Sequence, residues 1–157
     1  MRVRPLHGLL LVAVLVVGGV VADFAIEGGL RGVRFTRVAP DPQGEVRIDV
    51  SDLGVNELRF FRFLNAGNQE VKFFIARDRN GDLQVAFDAS ETHARVGRGF
   101  RQDGEWVIDN KCDTPTRIAE IDDGHGGCSP VPLAFRAEGN TVVLAENQIL
   151  RGWRLFN

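Results

Sequence analysis

From Gly44 onward the chain has the pattern of strands, opening on a polar–apolar period of two, and that pattern constrains its fold more than any other feature. Glu45-Val46-Arg47-Ile48-Asp49-Val50 places an apolar side chain at every second position, the pattern of a strand with one buried face. Leu58 to Leu64, Glu70 to Ala76 and Leu83 to Phe87 follow as runs rich in Phe, Val and Ile, and these residues favour a pleated, half-buried surface. Asn65-Ala66-Gly67-Asn68 and Asp78-Arg79-Asn80-Gly81-Asp82 supply turn chemistry between the runs. Later short strands are expected at Glu105–Asp109, Leu133–Arg136 and Thr141–Leu144, with Gly139-Asn140 turning between the last two. Ala145 to Leu150 reads as one short helical turn, and Trp153 and Phe156 are expected to close the core because rings that large are rarely left exposed. The expected fold class is mainly β: a small, mostly antiparallel β domain over residues 45–157, with long ligand-bearing loops, preceded by an N-terminal hydrophobic helix.

That helix is read from residues 1–22. Arg2 and Arg4 precede an unbroken apolar run from Leu9 to Val17, and Val20-Val21-Ala22 offers small residues before Asp23. This is the form of a signal peptide, with a cleavage point after Ala22. It is also short of a membrane anchor only by His7 and Asp23, since a spanning helix needs about 20 apolar residues. Either way the remainder is exported to the periplasmic or extracytoplasmic side of a membrane, anchored there or secreted, with the two arginines left on the cytoplasmic side. Residues 23–44, with Gly28-Gly29, Gly32, Pro40 and Pro42, read as a tether.

Charge narrows the partners. The whole chain carries −2, and the part after residue 22 carries −4 because two basic residues and no acid are removed. A chain without a basic field is not a nucleic-acid binder. The membrane is the expected partner. No nucleophile elbow, phosphate loop, dinucleotide fingerprint or zinc-protease helix occurs in the sequence. Asp78-x-Asn80-x-Asp82 resembles the start of a calcium loop, but the sixth and twelfth positions are Leu83 and Ala89 instead of Gly and Glu. An Asn-Gly hairpin turn accounts for these residues.

The chemistry concentrates between Phe87 and Pro130. Both cysteines and two of the three histidines lie there. Ser90, His93, Asp109, Cys112 and Cys128 fall at metal-site spacing: two residues separate the first pair, and two separate the second. Paired ligands on tight turns are how proteins build tetrahedral sites. Here only two of the five are Cys. His93, Cys112 and Cys128, with Asp109 or His125 as a fourth ligand, describe a mononuclear metal ion (Fe or Zn) or a mixed-ligand redox site better than a four-thiolate cluster. Ser90 is a degenerate ligand position, because its hydroxyl stays protonated near neutral pH. A carboxylate on a turn such as Asp109 is ordinarily exposed. His125, between two glycines, reads as loop surface, and Arg95, Arg98 and Arg101 as a small basic cluster beside the site.

Phe60-Phe61, Lys72-Phe73-Phe74, Phe87-Asp88-Ala89, Gly99-Phe100, Cys112, Gly126-Gly127-Cys128-Ser129-Pro130 and Pro132-Leu133 together resemble the FtrD-like membrane iron–sulfur domain. The likeness runs from about Glu45 to the C-terminus. It implies a membrane-attached protein that carries an electron or a metal, linked to iron transport through a membrane iron-transport or redox partner. It also places the family's first ligand pair on Ser90 and His93, its second on Asp109 and Cys112, and its lone cysteine on Cys128. Gly-Gly-Cys-Ser-Pro has Ser129 where the family usually has Asn.

Two cysteines in an exported chain also make an even count in an oxidising compartment. The expectations therefore divide. In one, His93, Asp109, Cys112 and Cys128 hold a metal ion or an iron–sulfur cluster for binding or electron transfer. In the other, a Cys112–Cys128 disulfide staples a cofactor-free structural or interaction domain. Free thiols are the third possibility.

Overall fold

The computed structural model describes residues 34–92, 98–124 and 126–156. The chain divides into two units, Met1–Arg34 and Phe35–Asn157. Residues 1–22, with their expected hydrophobic helix, lie outside the described residues. Among the described residues no helix is long and apolar enough to cross a membrane.

The second unit is mainly β and mostly antiparallel. Its centre is a five-stranded sheet of β1 (Phe35–Val38), β3 (Glu57–Leu64), β4 (Glu70–Arg77), β5 (Leu83–Ser90) and β9 (Pro130–Pro132), in that order. β3, β4 and β5 form a meander in which Phe61 faces Phe73 and Phe73 faces Phe87 in register. Two three-stranded sheets complete it. One orders β10 (Arg136–Glu138), β11 (Thr141–Ala145) and β2 (Glu45–Asp49). The other orders β6 (Phe100–Asp103), β7 (Trp106–Asp109) and β8 (Pro115–Arg117).

The period of two explains the layering. Successive side chains of a strand point to opposite faces. Phe61, Phe63, Val71, Phe73, Ile75, Val85 and Phe87 bury one face of the central sheet against Val46, Ile48, Val142 and Leu144. Phe74, Ala76 and Ala86 bury the other against Phe100, Val107, Ile118 and Ile121. The last two belong to a 3₁₀ segment, Ile118–Asp123, that follows β8. The core is thus two apolar layers either side of one sheet, and the β5 face that carries Asp88 and Ser90 belongs to the second layer.

Several expectations change. Residues 35–38, inside the stretch read as a tether, pair in parallel with β3, Phe35 against Phe60. The strand expected at Leu133–Arg136 does not form there: β9 ends before it at Pro132, and β10 begins only at its last residue, Arg136. Pro130 and Pro132 hid β9 from a propensity reading, but proline is tolerated on an edge strand, and β9 is one. Leu133 ends that run, its N–H donating to the Val85 carbonyl. The turn at Asp78–Asp82 is a five-residue loop in which Asp78 Oδ1 accepts from the N–H groups of Asn80 and Asp82.

The helical turn forms as α1, Glu146–Arg151, and runs into a 3₁₀ turn, Gly152–Leu155. Gly152 lies so close to the Phe87 ring that a Cβ there would overlap it. Trp153 does not close the core: it is 37% exposed, and Ile149, fully buried, takes that role, with Phe156 packed at the edge.

Candidate metal centre

Alternation along β5 aims Asp88 and Ser90 to the same side, and both are buried. Asp88 Oδ1 accepts the Phe100 N–H at 2.7 Å. This bond docks the start of β6 onto β5. It requires glycine at position 99, because Gly99 has φ +60° and a Cβ there would land on the Asp88 carboxylate. Ser90 Oγ lies 3.1 Å from Asp109 Oδ2 and donates to it.

Asp109 is 3% exposed. The expectation of an exposed turn carboxylate is therefore corrected: β7 delivers this side chain inward, where it organises the turn that follows. Its Oδ1 accepts the N–H of Lys111 at 2.7 Å and of Cys112 at 2.9 Å. The Asp113 N–H closes the turn onto the Asp109 carbonyl. A carboxylate that takes backbone N–H groups in this way satisfies donors that would otherwise be costly to bury. Cys112 is held in place by this turn.

The third strand of the site is the glycine loop. Gly126 and Gly127 both have positive φ, +67° and +63°, the left-handed region that glycine enters without steric penalty. The Gly127 carbonyl accepts from Thr92 N–H and the Gly126 carbonyl from Ser129 N–H. Thr116 Oγ1 lies 3.3 Å from Ser129 Oγ. This geometry brings Cys128 to Cys112, and the two form a disulfide with Cα atoms 6.5 Å apart.

The structure therefore brings together Ser90, Asp109, Cys112 and Cys128 as one connected chain of bonds. His93 and His125 lie outside the described residues, as does Arg95. Arg101 is not free surface: it pairs with Asp113 at 2.9 Å and reaches Asn110 Oδ1. Sequence reasoning passed over Asp88 and Gly99 as a docking pair, although Asp88 and Ser90, two apart on a strand, share a face.

The donor set does not fit an iron–sulfur cluster. Clusters are held chiefly by four thiolates, and the chain has two cysteines, here bonded to each other. Both Asp109 oxygens already accept hydrogen bonds, and Ser90 donates its proton to one of them. Among the described residues, no group of three or more His, Cys, Asp or Glu side chains is placed to hold a metal ion.

The family of FtrD-like proteins, described as "membrane iron-sulfur containing protein FtrD-like", matches the chain over residues 53–156. No curated protein and no solved structure matches it.

Proposed function

Because the chain belongs to the FtrD-like family of membrane iron–sulfur containing proteins, we propose that it is an exported, membrane-associated domain that serves an iron-related membrane system through protein contact. In this reading its centre is locked by a disulfide and a Ser90–Asp109 hydrogen bond where relatives would hold a cluster. The Cys112–Cys128 bond carries the proposal. It sits where the resemblance places two ligands, and the remaining described ligand positions are satisfied by each other. The domain then acts as a rigid β scaffold on the periplasmic or extracytoplasmic side, and its partner is a membrane iron-transport or redox protein.

Alkylating the thiols of denatured protein isolated from its native compartment tests this. No thiol should react before reduction and two should react after it. Two reactive thiols before reduction would overturn the proposal.

A second reading retains the metal. Cys112 and Cys128 have backbones 6.5 Å apart, and Asp109 shares a turn with Cys112. Once reduced, the two thiolates, with Asp109 and His93, would hold Fe or Zn and give the domain a metal-binding or electron-transfer role. Metal analysis of reduced protein, with Cys112→Ser and Cys128→Ser as controls, separates the two readings.

A further inference from the structure

The C-terminal segment carries a second surface, away from the cysteines in sequence. α1 and the turn after it frame a groove of about 480 Å³ lined by Asn147, Leu150, Arg151, Trp153 and Arg154. Its lining is mostly apolar, with Leu150 and Trp153 among the residues that supply it. Among the described residues that line it are two guanidinium groups, Arg151 and Arg154, and no carboxylate. Six other arginines, Arg47, Arg59, Arg62, Arg101, Arg117 and Arg136, have carboxylate partners, and Arg77 donates to the backbone carbonyls of Leu53, Gly81 and Val50. Among the described residues, no carboxylate pairs with Arg151 or Arg154. Arg154 instead lies over the Trp153 ring, 5.9 Å from its centroid. Trp153 is one of two large hydrophobic residues left exposed among the described residues.

We propose that this groove docks the headgroup of an anionic phospholipid, so that the Trp153 face of the domain rests on the membrane. The charges select the occupant. Two guanidiniums with no acidic partner among the described residues suit a phosphate, which arginine binds through paired N–H donors. The apolar lining suits the glycerol and first acyl carbons beneath that phosphate. An indole with a basic neighbour is the pair found at membrane–water interfaces, where one end of the ring is apolar and the other wet. A protein partner would leave the same arginines facing acidic side chains, and the experiment below separates the two cases. The inference rests on the membrane placement proposed above and names the face that meets the lipid.

The test uses the full chain with Trp106→Phe, which leaves Trp153 as the sole indole and keeps a ring beneath Arg117. Vesicles are made of phosphatidylcholine with or without phosphatidylglycerol, and the phosphatidylglycerol carries brominated acyl chains. Trp153 fluorescence should be quenched by the brominated phosphatidylglycerol at low salt. Quenching should vanish at 1 M salt, where the screening length falls to about 3 Å. Adding Arg151→Gln and Arg154→Gln should lower the docked equilibrium roughly 25-fold, about fivefold per charge near an anionic surface. Unquenched Trp153, or equal quenching from brominated phosphatidylcholine in neutral vesicles, overturns the proposal. Flotation on neutral vesicles reads membrane attachment separately. A chain that floats with Trp153 unquenched loses this docking face and keeps its attachment. A chain quenched by phosphatidylglycerol that fails to float on neutral vesicles keeps the face and loses the anchor.

Discussion

Replacing both cysteines by serine should destabilise the domain by an amount that the loop it closes determines. Cys112 and Cys128 lie 16 positions apart in the sequence. Cross-linking a loop of that size removes unfolded-state freedom equivalent to about 3 kcal/mol in the chain-entropy model. The enclosed segment contains β8 and the Ile118–Asp123 turn, whose Ile118 and Ile121 are fully buried in the second core layer. Those contacts remain when the bond is lost, so Cys112→Ser/Cys128→Ser should still fold. At roughly 4 °C per kcal/mol for a unit of this size, its melting temperature should fall by about 12 °C. Thermal melts followed by circular dichroism measure this, with and without a strong reductant. Reductant should lower wild type to the level of the double variant and leave the double variant unchanged. A double variant within about 1 kcal/mol of oxidised wild type would refute the claim that the bond constrains the fold.

Three further perturbations probe the rest of the site and the surface. Gly99→Ala combines a strained left-handed backbone with displacement of the buried Asp88 carboxylate from Phe100; it should cost about 3 kcal/mol by urea unfolding, and a loss under about 1 kcal/mol would contradict the docking role. Asp109→Ala leaves the Ser90 hydroxyl and the Lys111 and Cys112 N–H groups without their acceptor. It should cost about 2–4 kcal/mol, with Asp109→Asn milder because the amide oxygen still accepts; the opposite ranking in denaturant titrations would count against the turn-capping account. At the surface, hydrogen bonds from Arg136 and then Arg47 hold the Glu138 carboxyl below the usual glutamate range. That contribution to stability is present above the unfolded-state value and disappears as pH falls through the folded one. Glu138→Gln should therefore flatten the acid side of the stability profile at low salt and leave it unaltered at high salt, because the group is exposed and screened.

Much of the fold was legible because alternation and runs of β-branched and aromatic residues report burial directly. Glu45–Val50 was visible as a strand because it buries every second side chain, and the runs that became β3, β4 and β5 because they are rich in Phe, Val and Ile and bounded by turn residues. β6 and β8 were not, because Phe100-Arg101-Gln102-Asp103 and Pro115-Thr116-Arg117 are short and largely polar, and their pairing comes from neighbours distant in sequence. β9 was obscured by its prolines. Trp153 was misplaced because size predicts burial only on average. The candidate site was legible as a set of positions: Ser90, Asp109, Cys112 and Cys128 do converge. What spacing alone could not fix was the chemistry between them. Whether Asp109 offers its oxygens to an ion or to its own turn depends on where β7 ends, and a cysteine pair 16 positions apart is compatible with a bond or with two ligands.

The central claim is that sulfur–sulfur and Ser90–Asp109 bonds occupy the place of a cofactor. Iron, zinc and acid-labile sulfide, quantified per chain in protein purified without oxygen and again after air oxidation, address it most directly. The account predicts far less than one equivalent of each in both preparations. Near-stoichiometric iron with matching sulfide in the anaerobic sample, lost when Cys112 or Cys128 is replaced by serine, would contradict it.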